Sequence, residues 1–239
     1  FSKIKLIKAY RIFVHRNEIK RNYNLEQHMK LKATRGNSGI LQITTMMSGE
    51  LFGVDYKENI KNGGCPHRCR FCCLEKIDGV VTQPKSYRTE EPANKRATQN
   101  KHHPVGQVFN RLDTFEKMGH LSPTPEDPAK IEFMISDGTF NFYGRDYIIW
   151  YVTMSYYALN VYYDYTLTGN LREPLTLIEE QKINETANIR MIGLTIETRP
   201  DYLSTEEVKF FRHLGVTRVQ TGTQHTDNAI LKENLRDCT

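Results

Sequence analysis

The stretch "IRMIGLTIE" (Ile189–Glu197) decides how the fold is read. Five of its nine residues are Ile, Met or Leu, it contains no proline, and it is too short for a buried helix, so it reads as an interior strand. Three similar runs lie elsewhere: "GILQITTMM" (Gly39–Met47), "KIEFMIS" (Lys130–Ser136) and "VTRVQTGT" (Val216–Thr223). Helix-like patterns separate them, at Pro104–Gly119, Gly144–Asn160 and Thr205–Leu214. The last opens at Ser204 or Thr205 as N-cap, carries Glu206 and Glu207 in its first turn, and stops at Gly215. Alternating strands and helices predict an α/β fold of parallel βα units, with its site at the C-terminal strand ends. Four strands are too few to close a barrel, so the expectation is an incomplete, TIM-like barrel. The basic stretch from Thr82 to His103 reads as a loop.

Composition excludes several classes. With 38% hydrophobic and 26% charged residues the chain is neither disordered nor membrane-embedded. Its most apolar window, Tyr147–Tyr165, is interrupted by Thr153, Ser155, Asn160 and Asp164, which a bilayer-spanning helix of about 20 residues would bury poorly. It reads as a core helix. The opening "FSKIKLIKAYRIF" lacks the uninterrupted apolar core and cleavage site of a secretory signal, so a cytoplasmic location with no membrane contact is expected.

The net charge of +5 is concentrated at the N-terminus, where residues 1–35 hold ten lysines and arginines against Glu18 and Glu26. Residues 1–36 therefore read as a basic arm and 37–239 as the main domain. Lys20, Arg21, Lys30, Lys32 and Arg35, interleaved with Tyr10, Phe13, His15 and Tyr23, suit phosphate neutralisation with base stacking. Ile4, Ile7, Ile12, Ile19 and Leu25 equally describe a helix with one face on the core.

Four of the five cysteines fall within "CPHRCRFCC" (Cys65–Cys73). Neighbours this close seldom reach disulfide geometry, which favours a metal site. Cys65, Cys69 and Cys72 follow C-x3-C-x2-C, with no second C-x2-C pair to complete a zinc site. Three thiolates without an evident fourth suit a 4Fe-4S cluster with one open iron. With Phe71 before the last cysteine, the run is the C-x3-C-x-aromatic-C pattern of radical S-adenosylmethionine (radical-SAM) enzymes, in which the open iron binds S-adenosyl-L-methionine. A zinc or structural cluster site completed by His67 or Cys238 is the alternative.

A set of motifs then appears in order: "RGNSGILQITTMM" (Arg35–Met47), the cysteine run, "SYRTEEPANKRA" (Ser86–Ala97), "KMGHL" (Lys117–Leu121), "IEFMISDGTF" (Ile131–Phe140), "IGLTIETRPDY" (Ile192–Tyr202) and "GVTRVQTGTQ" (Gly215–Gln224). Together they resemble the radical-SAM half of the catalytic subunit of Elongator, a tRNA wobble-uridine modification enzyme. The resemblance covers nearly the whole chain from about Lys30.

That resemblance implies a partial radical-SAM barrel and a transferase. The product would be a carboxymethyl group on C5 of the wobble uridine, with acetyl-CoA as co-substrate and tRNA gripped by the basic arm. It assigns cluster binding to Cys65, Cys69 and Cys72, and places Phe71 near the adenine. It brings the methionine end of S-adenosyl-L-methionine to Asp137, Gly138 and Thr139, its ribose and carboxylate to Glu197 and Arg199, and adds Gln224 to the lining. Other Elongator-type subunits or a second copy are the implied protein partners. Taken without the family, Glu197 and Arg199 also read as a surface ion pair, and Asp137–Gly138 as a turn.

Some residues depart from the family pattern. "FCCLEKIDG" (Phe71–Gly79) lacks the family's glycines, Gln220 replaces a Glu, and "ENLRDCT" (Glu233–Thr239) matches the expected Asn-Arg-Gly-His-Thr only loosely. Asp137 replaces the first glycine of Gly-Gly-Thr-Phe, adding a carboxylate that would either pair with the cofactor's amino group or repel its carboxylate. The acetyltransferase half is not in the sequence. These departures motivate a second expectation, a catalytically silent tRNA-binding or complex-assembly homologue.

Overall fold

A computed structural model of the chain describes residues 3–30, 39–48, 67, 69–72, 75–77, 80–83, 87, 90–121, 123, 126–236 and 238. The chain opens with α1 (Lys3–Arg16) and α2 (Tyr23–Met29), followed by β1 (Leu41–Thr45) and a small antiparallel pair, β2 (Glu75–Ile77) and β3 (Val80–Gln83). Next come α3 (Pro92–Gln99), α4 (Pro104–Lys117), β4 (Ala129–Ile135), α5 (Arg145–Thr168) and α6 (Leu177–Asn184). β5 (Ile189–Thr198), α7 (Thr205–His213), β6 (Arg218–Thr221) and α8 (Asn228–Glu233) complete it.

The helix boundaries have local causes. Proline at the first turn starts α3 and α4, where its missing N–H is not needed. Thr176 and Glu179 close a reciprocal capping box on α6, and Ser204 accepts from the Glu207 amide to start α7. Gly215 follows α7 at φ +86°, a conformation other residues adopt only under strain, and a Cβ there would come within 2.5 Å of the Tyr156 hydroxyl. The stretch read as a loop from Thr82 to His103 holds the end of β3 and the whole of α3, because Pro92 opens a run of helix-forming residues.

β1, β4, β5 and β6 form one sheet in that order, every pairing parallel. Spatial neighbours are thus neighbours along the chain among these four, so the sheet winds in one direction. One face is apolar: Leu41, Ile43, Ile131, Phe133, Ile135, Leu194 and Ile196 are each at most 3% exposed. They pack with α4 and α5, whose Val108, Leu112, Ile148, Tyr151 and Val152 share the core. The other face carries Gln42, Glu132 and Arg218, joined by hydrogen bonds from Gln42 and Arg218 to the Glu132 carboxylate.

β5 carries a bulge. Ile131 faces Met191 but Glu132 faces Gly193, leaving Ile192 as the extra residue, 47% exposed. The slip explains why "IRMIGLTIE" does not alternate: Ile189 is buried before the bulge, and Leu194 and Ile196 are buried in the opposite phase after it.

α5 is the core helix that the sequence suggested, 24 residues long, with Tyr147, Tyr151, Tyr156, Tyr157 and Tyr162 all buried. No helix among the described residues is long and apolar enough to cross a membrane. α1 and α2 are tied together by Glu26, which accepts from Arg21 at 2.8 Å and Arg11 at 3.3 Å. Arg11 also donates to the carbonyls of Gly119 and Leu121, both at 3.0 Å, fixing the pair to the end of α4.

Candidate functional site

The residues with chemistry gather where the parallel strands end. Just past β1 lies Met46, whose N–H and C=O are both held by the buried Gln107 amide, at 2.9 and 3.0 Å, while Tyr151 donates to the same carbonyl. β4 is followed by Ser136, which reaches back to the Thr45 carbonyl through its N–H. Beyond it, Asn141 accepts from Thr198 and donates to the Tyr202 carbonyl and to Glu207, tying the segment after β4 to the segment after β5.

Glu197, near the end of β5, sits in a nest of donors. The Tyr87 hydroxyl lies 2.6 and 2.5 Å from its two oxygens, and the Ser136 hydroxyl and Asp137 amide also bond to it. Burial pushes the carboxyl above its ordinary range, and those hydrogen bonds offset only part of the effect.

Asp137 points elsewhere. It is fully buried and accepts from the Tyr143 hydroxyl at 2.5 Å. Alternation along the strand puts Asp137 on the helix-facing side with Ile135, and Ser136 on the side of Glu197. Its carboxylate is thereby engaged by Tyr143. Gly138 donates its amide to Asp137, and Thr139 is buried beside it.

The described part of the cysteine loop docks on the segments that follow β5 and α8. His67 lies edge-on to Tyr202, with Nε2 3.2 Å from its hydroxyl, and the Arg70 amide donates to the Asn234 carbonyl. Cys69 and Cys72 share one turn, closed by a bond from the Cys72 amide to the Cys69 carbonyl. Cys69 is buried, and two guanidiniums converge on it: Arg199 Nη1 and Arg236 Nη1 each lie 3.7 Å from its Sγ.

Arg199 is 1% exposed and anchored by Asp201 at 2.8 and 2.9 Å. Burial would lower its pKa, but Asp201 and the sulfurs of Cys69 and Cys238 outweigh that and raise it. Arg236 is 7% exposed, donates to the Gly222 carbonyl, and lies 6.0 Å from the centre of the Phe71 ring.

The remaining expected residues are placed as follows. Phe71 is half exposed at the mouth. Gln224 lies just past β6 in the left-handed region at φ 69° and is exposed. Lys20 is exposed, Arg21 is committed to Glu26, and Lys30 is partly buried, which lowers its pKa. Cys65, Lys32 and Arg35 lie outside the described residues. Among the described residues no three cysteine, histidine or acidic side chains converge at metal-binding distance. The donors that are described still suit an iron–sulfur centre: two soft thiols on one turn, with buried cations to balance the negative charge of a thiolate-held metal.

Three contributors were not singled out from the sequence: Tyr87, Ser136 and Arg236. Tyr87 and Ser136 lie inside the family-like motifs, whereas Arg236 lies in the segment that matches its family least well.

No protein-family model matches the chain. The tRNA uridine(34) acetyltransferase of Methanocaldococcus jannaschii is 33% identical over 96% of this chain, and that of Methanocaldococcus infernus is 40% identical over 70% of it. The chain is homologous to the tRNA uridine(34) acetyltransferases. Elongator complex protein 3 of Dictyostelium discoideum is 27% identical over 87% of the chain. The solved structure of M. infernus Elp3 with an N-terminal deletion matches with a TM-score of 0.53 and 28% identity, over 82% of this chain and 31% of that one. The chain spans 40% of the length of the M. jannaschii tRNA uridine(34) acetyltransferase and 29% of the M. infernus protein.

Proposed function

We propose that this chain is the S-adenosyl-L-methionine-cleaving half of an Elongator-type enzyme that modifies C5 of the tRNA wobble uridine, built on an incomplete radical-SAM barrel. The observation that carries the reading is the convergence of Arg199 and Arg236 on Cys69 at the carboxyl ends of a singly wound parallel sheet.

Cys65, Cys69 and Cys72 would hold a 4Fe-4S cluster, which when bound supplies an open iron for S-adenosyl-L-methionine and the electron that breaks its sulfonium carbon bond. Around it the chain's own residues orient and exclude. Glu197, fixed by Tyr87, Ser136 and the Asp137 amide, offers an immobile acceptor carboxylate for the ribose hydroxyls. The backbone at Asp137, Gly138 and Thr139 would receive the methionine end, Phe71 would pack near the adenine, and Gln224 would add to the lining. Arg199 has its charge committed to Asp201 and Cys69, so its role is to shape the site. tRNA would lie along the arm of residues 1–36, at Lys20, Lys30, Lys32 and Arg35 with Arg21 at the margin, and acetyl-CoA would supply the transferred group. Other Elongator-type subunits or a second copy would complete the assembly, in the cytoplasm.

The burial of Asp137 supports this enzymatic reading over the silent, tRNA-binding one, because its carboxylate already receives the Tyr143 hydroxyl.

Anaerobic reconstitution with iron and sulfide, followed by electron paramagnetic resonance of the reduced protein, tests it. A 4Fe-4S signal that shifts on adding S-adenosyl-L-methionine is expected, and Cys69→Ala should abolish both signal and cofactor cleavage. A cluster indifferent to the cofactor, or a colourless zinc protein, would leave the silent reading in its place. Alanine at Lys20, Lys30, Lys32 and Arg35 should reduce the salt dependence of tRNA binding by about one unit of slope for each phosphate no longer neutralised.

A further inference from the structure

Arg236 is a buried cation with an incomplete set of partners. Its Nη2 donates to the Gly222 carbonyl and its Nη1 to Cys69 Sγ, but Nε is buried with no hydrogen-bond partner among the described residues. Arg199 beside it is neutralised by Asp201, whereas no carboxylate within ion-pair distance meets Arg236 among the described residues. A guanidinium removed from water is costly unless an anion compensates it. Both arginines face the Cys69 sulfur, and the Arg236 carbonyl also accepts from Arg199 Nη2 at 2.5 Å, so the pair is held together on that sulfur.

We infer that Arg236 is a positioning residue for the cysteine site: its N–H donates to the metal-bound Cys69 sulfur, and its charge sets the reduction potential of the centre held there. This rests on the cluster reading above and goes beyond it. A thiolate that accepts an N–H bond beside a positive charge holds added electron density more readily, so such bonds raise the potential of an iron–sulfur centre. Among neutral and cationic donors, a buried guanidinium has the larger effect, because a low-dielectric setting screens it little. Cys238, two residues further on, is buried and acts on Arg199, so the segment after α8 brings a second sulfur near that cation.

The test uses the full chain, reconstituted anaerobically, with Arg236→Met and Arg236→Lys. Iron and acid-labile sulfide per chain are measured first. The midpoint potential is then followed by electron paramagnetic resonance in a redox titration. Arg236→Met should keep its iron and titrate at a more negative potential than the wild type, with Arg236→Lys between the two. A wild-type potential in a fully loaded Arg236→Met protein overturns the inference while leaving the cluster reading intact. If Arg236→Met loses its iron, Arg236→Lys decides. A loaded Lys protein with a lowered potential supports the inference, and a folded but iron-free one overturns it. A wild-type chain that assembles no iron–sulfur centre removes the reading itself.

Discussion

The Tyr87 hydroxyl bridges both oxygens of the Glu197 carboxylate, at 2.6 and 2.5 Å. Tyr87 follows the cysteine run in sequence and Glu197 ends the third strand of the sheet, so one phenol ties the cysteine segment to the strand that lines the site.

This pair predicts a pH-dependent stability. Burial raises the Glu197 carboxyl above its ordinary value of 4.5, so the folded state holds that proton more tightly than the unfolded chain does. The stability linked to this group is present below about pH 4.5 and is lost as pH rises through the folded value. Glu197→Gln should therefore melt higher than wild type at pH 7, with the gain disappearing towards pH 4. Tyr87→Phe removes a hydrogen bond to a charged group and should cost about 1.5–3 kcal/mol at pH 7. Thermal melts across this range check both, and a Glu197→Gln protein less stable than wild type at pH 7 would contradict the sign.

Asp137 predicts the outcome of restoring the family's glycine. Asp137→Gly deprives the buried Tyr143 hydroxyl of its acceptor and should cost about 1–3 kcal/mol. Tyr143→Phe in the same protein should recover part of that loss. Calorimetry on the two variants measures it, and a neutral Asp137→Gly would mean that Tyr143 has another acceptor.

Glu26 predicts how the N-terminal helices respond to acid. Burial would raise its pKa, but the guanidiniums of Arg21 and Arg11 prevail and hold it below 4.5. Its contribution is present above about pH 4.5 and is lost as pH falls through the depressed value. Glu26→Gln removes the carboxylate that Arg11 and Arg21 share and should cost about 1.5–3 kcal/mol for the lost charged hydrogen bonds. Trypsin should then cut α1 at pH 7 faster than it cuts the wild type. Equal cleavage of both proteins at pH 7 would refute this.

Gln107 predicts a coupling between the core and the mouth of the site. Gln107→Leu strands the Met46 amide, while Tyr151 still donates to the carbonyl, and should cost about 1–3 kcal/mol for the unsatisfied amide. Hydrogen exchange at Met46 should accelerate, while exchange at the distant Leu231 amide of α8 should not.

Most of the scaffold was legible because its strands announce themselves. "KIEFMIS" lies within one residue of β4 at either end, and the start of α7 follows directly from Ser204 and the glutamates behind it. α3 was not legible, since Pro92 in a basic, polar stretch reads as a loop breaker until it is seen to occupy the first helical turn. α6 could have been found: Thr176 and Glu179 have the spacing of a capping box. At the site, residue types pointed to cysteines and carboxylates, but no sequence pattern says which way Asp137 turns or that Arg236 crosses back to Cys69. Those relations depend on strand parity and on side chains that meet from 167 residues apart in the chain.

The order of strands in the sheet also sets a timetable. Gln42 of β1 meets Glu132 of β4 90 residues later, and no described strand lies nearer in sequence for β1 to join in the sheet. At a ribosomal rate of roughly 5–20 residues per second, β1 waits roughly 5–18 s for its neighbour, with Leu41 and Ile43 uncovered by it. The first strand of this sheet thus waits longest for its neighbour during synthesis, and pausing on the ribosome before β4 would lengthen its exposure.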